Sequence, residues 1–175
     1  GTLGGAVFMN AGAYKSDISQ ILKEVYILKD RSIVVMRAEE LEYAYRHSIF
    51  QSHRDWIILG ARLQLKLGDQ KEIRDLMASR RKRRMDSQPL DKPNCGSVFR
   101  NPPNHPAWQL IEEIGYRGKV IGGAMVSDKH ANFIVNIGGA KAADVEQLIN
   151  EIQSRVMQQY GITLTTEVEK FNWNK

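Results

Sequence analysis

Between Ala142 and Tyr160 an apolar residue recurs at helical spacing: Val145, Leu148, Ile149, Ile152, Val156 and Tyr160. Gly161 follows, the residue type that most easily takes the left-handed turn closing a helix. A helix of that length with one apolar stripe belongs to a core and is not a free partner-binding arm. Short strand patterns lie on both sides of it in sequence. The fold class expected is therefore α+β.

Upstream, Val25-Tyr26-Ile27-Leu28 and Ile33-Val34-Val35-Met36 flank the polar tetrad Lys29-Asp30-Arg31-Ser32, a β-hairpin pattern. Residues 38–45 favour a short helix. From Trp56 to Leu67, the residues Ile57, Leu59, Ala61, Leu63, Leu65 and Leu67 alternate with mostly polar partners, which predicts a strand. Asp69 is placed to cap a helix running to about Arg84, with Glu72 completing a capping box. The polar stretch 86–93 contains Pro89 and Pro93 and marks a domain boundary. Beyond it come a strand around Ser97 and a helix over 106–114, striped by Leu110, Ile111 and Ile114 and stopped by Gly115. Strands are expected near 119–126 and 132–137, and a last one over 162–171 after the long helix. No internal repeat is visible.

The 175 residues are 42% hydrophobic and 26% charged, the profile of an ordinary globular protein. No apolar run approaches a membrane span and nothing at the start resembles a signal peptide, so no membrane insertion is expected. The lone Cys95 excludes an internal disulfide and fits a reducing cytoplasm. Without a histidine ordered to pair with it, Cys95 reads as a packed side chain and not a nucleophile. His53, His105 and His130 lack ligand spacing, so no metal site is expected. The net charge of +5 and the run Arg80-Arg81-Lys82-Arg83-Arg84 suggest a nucleic-acid partner. Against that, the run ends an amphipathic segment carrying Ile73, Leu76 and Met77, where cations complement a helix C-terminus. It also lacks interleaved aromatics for stacking bases. No nucleic-acid partner is expected.

The chemistry centres on Asn94-Cys95-Gly96-Ser97-Val98-Phe99-Arg100-Asn101-Pro102. Gly96 lets the backbone bend without a Cβ penalty, and Pro102 and Pro103 stiffen the exit. The Ser97 hydroxyl either satisfies a turn or points somewhere definite, as a proton donor must. Three further segments accompany it in order: Gly1 to Tyr14, with Gly4, Gly5, Asn10, Gly12 and Ala13; Tyr45-Arg46-His47-Ser48-Ile49-Phe50; and Ile121 to Ser127 with Lys129 to Asn136.

Together these four segments resemble the UDP-N-acetylenolpyruvoylglucosamine reductases (MurB), flavoenzymes of bacterial peptidoglycan synthesis. The resemblance covers nearly the whole chain. It implies reduction of UDP-N-acetylglucosamine enolpyruvate to UDP-N-acetylmuramate, with NADPH as hydride donor through FAD. Side chains do not donate hydride, so such a reaction needs a cofactor of that kind. By the same resemblance Ser97 is the proton donor. Arg46, in the Tyr-Arg-x-Ser-x-Phe motif, and Glu167, in Leu164-Thr165-Thr166-Glu167-Val168, act on the enolpyruvyl carboxylate. Gly4, Gly5, Asn10, Gly12 and Ala13 face the flavin, and Asn101, Arg100 and Gln88 contact substrate. Glu169 and Trp108 depart from the family pattern, which often has arginine and glycine there.

The segment at Gly1 lies mid-chain in the family, so this chain resembles a C-terminal piece. The division it implies is 1–88 as the end of the FAD-binding α+β domain and 89–163 as a smaller α+β substrate-binding domain. Residues 164–175 would be a terminal strand carrying Glu167. A chain holding only the trailing edge of the flavin pocket is expected neither to grip FAD tightly nor to turn over alone. Two other readings are an inactive remnant with only the substrate-binding half and, more remotely, a basic nucleic-acid-binding domain.

Overall fold

In the computed structural model, which describes residues 1–171, the contacts divide the chain into Gly1–Asp69 and Gln70–Lys175. The helix expected at the end of the first domain is thus grouped with the second unit. Both units mix helices with antiparallel sheets, so the class is α+β.

The first unit opens with helix α1 (Leu3–Phe8), which the glycine-rich sequence did not suggest. The Thr2 hydroxyl caps it by accepting from the Gly5 N–H at 3.1 Å. A small ladder, β1 (Gly12–Ala13) with β2 (Ser16–Asp17), follows. The main sheet holds β3 (Leu22–Lys29), β4 (Ser32–Arg37) and β5 (Ile57–Leu63) in the order β4-β3-β5. The β3–β4 hairpin closes through Asp30 and Arg31, both at positive φ (50° and 63°), the mirror-image turn whose twist matches that of paired strands. The core is Val7, Leu22, Val25, Ile27, Leu41 and Phe50.

Strand β5 differs from its sequence pattern in both length and facing. It ends at Leu63, and Leu65 and Leu67 are exposed. Tyr26 pairs with Gly60 but Ile27 pairs with Ile58, so Leu59 is an extra residue in the ladder. Such a bulge reverses which side chains face inward. Ahead of it Ile58, not Ile57 or Leu59, packs on the core; past it Ala61 and Leu63 do. The helix expected over 38–45 is only a 3-10 turn, Ala38–Glu40.

In the second unit, α2 (Gln70–Ser87) is exposed along its length, including the basic run. Strands β6 (Asn94–Ser97), β7 (Val120–Ile121), β8 (Ala124–Val126) and β9 (Phe133–Asn136) form a sheet ordered β6-β9-β8-β7. Helices α3 (Ala107–Glu113) and α4 (Ala142–Tyr160) complete the unit. The strand expected over 119–126 is in fact a hairpin turning at Gly122 and Gly123. A Cβ on Gly123 would sit 2.3 Å from both Ala140 N and Gly138 O, so only glycine fits there. Leu148, Ile149, Ile152 and Val156 of α4 are buried against Val98, Phe99, Leu110, Ile111 and Ile134. Each such burial stabilises the unit by about 1.5–3 kcal/mol. Gly161 closes α4 at φ 66°. Among the described residues no strand follows: residues 162–171 make a single bridge, Thr166 to Phe99. Residues 172–175 of the expected terminal strand lie outside the described residues. Among the described residues, no helix is long and apolar enough to cross a membrane.

Candidate active site

The sharp bend ahead of Ser97 is built by its own sequence. Gly96 takes φ 84°, open to glycine at little cost. Its N–H donates to Asn94 Oδ1 at 2.9 Å, while Asn94 Nδ2 donates to the carbonyls of Pro89 and Lys92. Asn94 pairs with Val135 and Ser97 with Phe133, so β6 carries one residue more than β9 between those points. That extra residue lets Cys95 and Ser97 sit in different surroundings within one short strand. Ser97 is half-buried, and among the described residues its hydroxyl has no hydrogen-bond partner.

Both flanks of the following residues are tied down. The Glu167 N–H donates to Val98 O at 2.8 Å and the Arg100 N–H to Thr165 O at 2.9 Å. On the other side the Asn132 side chain substitutes for a strand: Phe99 N–H donates to its Oδ1 at 2.9 Å and its Nδ2 donates to Phe99 O at 2.8 Å. The fold therefore brings Ser97, Arg100 and Glu167 onto neighbouring backbone segments of one unit. Glu167 lines a cavity of about 330 Å³ together with Cys95, Val145, Ile149 and Val168. Partial burial pushes the Cys95 thiol up, keeping it protonated and poorly nucleophilic.

Of the residues expected to contact substrate, Arg100 has a buried Nε with no partner among the described residues. An orphaned guanidinium donor is costly unless an acceptor arrives from outside. Asn101 Oδ1 accepts from the Ala107 N–H at 2.9 Å at the start of α3, leaving its amide NH2 for other work. Gln88 Oε1 accepts from Arg84 Nε at 3.4 Å, at the end of α2.

In the first unit the glycine-rich segment and the arginine motif are bound to each other. Arg46 Nη2 donates to Gly12 O at 3.0 Å, and the buried Ser48 hydroxyl donates to Phe8 O at 2.6 Å. Asn10 is buried; its Nδ2 donates to Ala44 O and its Oδ1 accepts from the Ser19 N–H. Arg46 sits at φ 54° in the turn closed by the Ala44–His47 bridge, with its guanidinium 5.2 Å from the Tyr45 ring centre. A non-glycine residue held at positive φ is backbone strain of the kind that collects at functional sites. Tyr43, which the sequence did not single out, donates its hydroxyl to Val7 O at 3.1 Å. Burial pushes that phenol up to about 12.

The glycines divide by what surrounds them. At Gly4 an added Cβ would make an ordinary contact with Ile58 Cγ2 at 4.0 Å, whereas at Gly5 it would lie 3.3 Å from Thr2 Oγ1, a tight approach. Side chains from outside α1 thus leave room at Gly4 but not at Gly5. At Gly12 the Cβ would lie 2.5 Å from Ser16 O and 2.6 Å from Asp17 Cβ. Glycine at that position is required by the chain's own β1–β2 pairing. Ala13 is exposed beside it.

The structure also gives Trp108 and His130 a place. The Trp108 ring lies edge-on to His130 at 6.5 Å, and His130 lies edge-on to Phe133 at 4.9 Å. Burial, and then the nearby Arg117, hold the His130 imidazole below its usual range. The Asn132 clamp was missed because nothing local distinguishes an asparagine entering a strand from one leaving a turn.

Comparison with known proteins bears on all four segments. A family model described as "UDP-N-acetylenolpyruvoylglucosamine reductase, C-terminal domain" matches residues 88–171. The chain is 47% identical over 170 residues to the UDP-N-acetylenolpyruvoylglucosamine reductase of Anoxybacillus flavithermus, a match covering 97% of this chain and 56% of that protein. Identity and coverage are the same for the reductase of Carboxydothermus hydrogenoformans. The crystal structure of UDP-N-acetylenolpyruvylglucosamine reductase (MurB) from Thermus caldophilus superposes with a TM-score of 0.81 at 37% identity, over 95% of this chain and 59% of that one. The chain thus spans about half the length of the curated relatives it matches. By these matches it belongs to the UDP-N-acetylenolpyruvoylglucosamine reductase family, with that family's C-terminal domain at residues 88–171.

Proposed function

We propose that this chain supplies the proton donor and part of the substrate and flavin contacts for the reduction of UDP-N-acetylglucosamine enolpyruvate to UDP-N-acetylmuramate. The carrying observation is Ser97: a half-buried hydroxyl without a partner among the described residues, on a strand fixed from both sides. Reduction of an enol ether adds hydride at one carbon and a proton at the next. Bound FAD, recharged by NADPH, would supply the hydride. Gly4, with room beside its backbone, is the residue here suited to approach its edge, with Gly5 next to it in α1.

The chain's own groups handle charge and proton. Ser97 would protonate the carbon where negative charge develops, and its hydroxyl would regain a proton from solvent. A hydroxyl is a weak acid, so its contribution depends on placement, which the Asn94 and Asn132 anchors provide. Arg46 offers a planar fork to the enolpyruvyl carboxylate, and Glu167 is its proposed companion in polarising that group. The orphaned Nε of Arg100 and the amide NH2 of Asn101 are donors suited to a substrate rich in phosphate and hydroxyl oxygens. A cytoplasmic setting accords with the free thiol of Cys95.

The test is a chimera in which this chain replaces the matching part of the Anoxybacillus flavithermus reductase. It should reduce substrate with NADPH. Ser97→Ala should leave bleaching of the flavin by NADPH intact and slow its reoxidation by substrate about 10²–10⁴-fold. A chimera that holds flavin but does not reduce substrate would refute the reading. So would a Ser97→Ala variant with an unimpaired second half-reaction.

A further inference from the structure

Helix α3 buries Ala107, Leu110 and Ile111 in the core of the second unit, but Trp108 takes no part in that core and is 41% exposed. A lone exposed apolar side chain is ordinary. Trp108 is set apart by how it is held and by what lies around it. Its ring meets His130 at 6.5 Å and 63°, and His130 in turn meets Phe133 at 4.9 Å. His130 is itself fixed, since its Nδ1 accepts from the Asn132 N–H at 3.3 Å, and Phe133 pairs with Ser97 across the sheet. Trp108 is thus braced, through two rings, against the strand pair that carries Ser97. The contact with His130 is edge-on and not stacked, so the indole keeps a face for a flat partner. With its proton affinity depressed by burial, His130 backs Trp108 as a neutral ring at pH 7.

Polar donors stand close by along the chain. Asn101 Oδ1 accepts from the N–H of Ala107, the neighbour of Trp108, and its amide NH2 is left over. Arg100 holds a buried Nε with no partner among the described residues. An aromatic face together with donors for anionic oxygens matches the two ends of a nucleotide, its base and its phosphates.

We propose that Trp108 is a specificity-determining contact, its indole stacking on the planar base of a nucleoside diphosphate whose phosphate oxygens meet Arg100 and Asn101. The inference deepens the proposed function and rests on it for the nucleotides at hand, since the UDP-sugar and NADPH both carry a base on a diphosphate. Trp108 departs from the family pattern, so the contact belongs to this chain's own sequence.

The test is nucleotide binding to the 175-residue chain without FAD or turnover. UDP, NADP+ and inorganic pyrophosphate are each titrated and followed by NMR. UDP or NADP+ should shift the Trp108 indole N–H together with the Asn101 side-chain amide. Trp108→Ala should weaken that nucleotide about 5–150-fold and leave pyrophosphate unchanged. Trp108→Phe, which keeps a flat ring, should stay within about threefold of the parent chain. Trp108 lies outside the core, so circular dichroism should show both variants folded. A loss confined to UDP assigns the stack to uracil, and one confined to NADP+ assigns it to a base of the dinucleotide. An equal loss for pyrophosphate would make Trp108 a packing residue and overturn the proposal. Nucleotide binding indifferent to alanine would overturn it too, as would a phenylalanine variant as weak as the alanine one, or a chain that binds neither nucleotide. Because binding is read without hydride transfer, its failure is distinct from failure of the proposed reaction.

Discussion

Replacing Asn132 by leucine removes the amide that clamps Phe99 while keeping the same branched side-chain skeleton. In the parent chain this one side chain satisfies both backbone groups of Phe99, at 2.9 and 2.8 Å, and both bonds are buried. Asn132 itself is 4% exposed. The substitution leaves one donor and one acceptor desolvated with no replacement nearby. Each orphaned group costs about 1–3 kcal/mol, so the segment around Ser97 should lose roughly 2–6 kcal/mol of local stability. That is a large share of the about 5–15 kcal/mol that holds a typical domain together. Amide hydrogen exchange reads the effect where it arises. At about 1.4 kcal/mol per tenfold, protection of the Val98, Arg100 and Glu167 amides should fall by about 30-fold or more. Asn132→Asp should fall between the two, since it keeps the acceptor for Phe99 N–H but turns a lone pair toward Phe99 O. If the leucine variant changed protection by less than about threefold, the clamp would not be what holds this strand.

Two further outcomes follow from the same residues. The His130 pKa is depressed in the fold, so the folded chain binds a proton there less readily than the unfolded chain does. Its contribution to stability is fully present above the ordinary value of 6.5 and is lost as pH falls through the depressed folded value. Urea midpoints should drop across that acidic window, and His130→Gln should flatten part of the drop; an unchanged slope would remove His130 as its source. The 175-residue chain mixed with FAD and freed of excess should show no stoichiometric flavin band. A retained band would mean that the edge at Gly4 and Gly5 suffices for tight binding.

The parts of this protein legible in its sequence are those that local physics decides. The α4 stripe ending at Gly161, the β3–β4 hairpin and the stop of α3 near Gly115 each depend on neighbours within a few residues, and each forms as the pattern implies. The bend at Gly96 is local too, and the four ordered segments were enough to name the family. Other features depend on partners far along the chain. The facing of β5 is set by a bulge against β3, so an unbroken alternation in the sequence reads the wrong residues as inward near Ile57. The segment after Gly161 has strand composition, yet among the described residues it makes one bridge, beside Phe99, while the Asn132 side chain holds the other side of Phe99. Gly12 is needed because Ser16 and Asp17 come back against it, a closeness visible only once the chain has turned. Periodicity records which side chains prefer to leave water; which of them meet, and in what register, is decided by the pairing of strands distant in sequence.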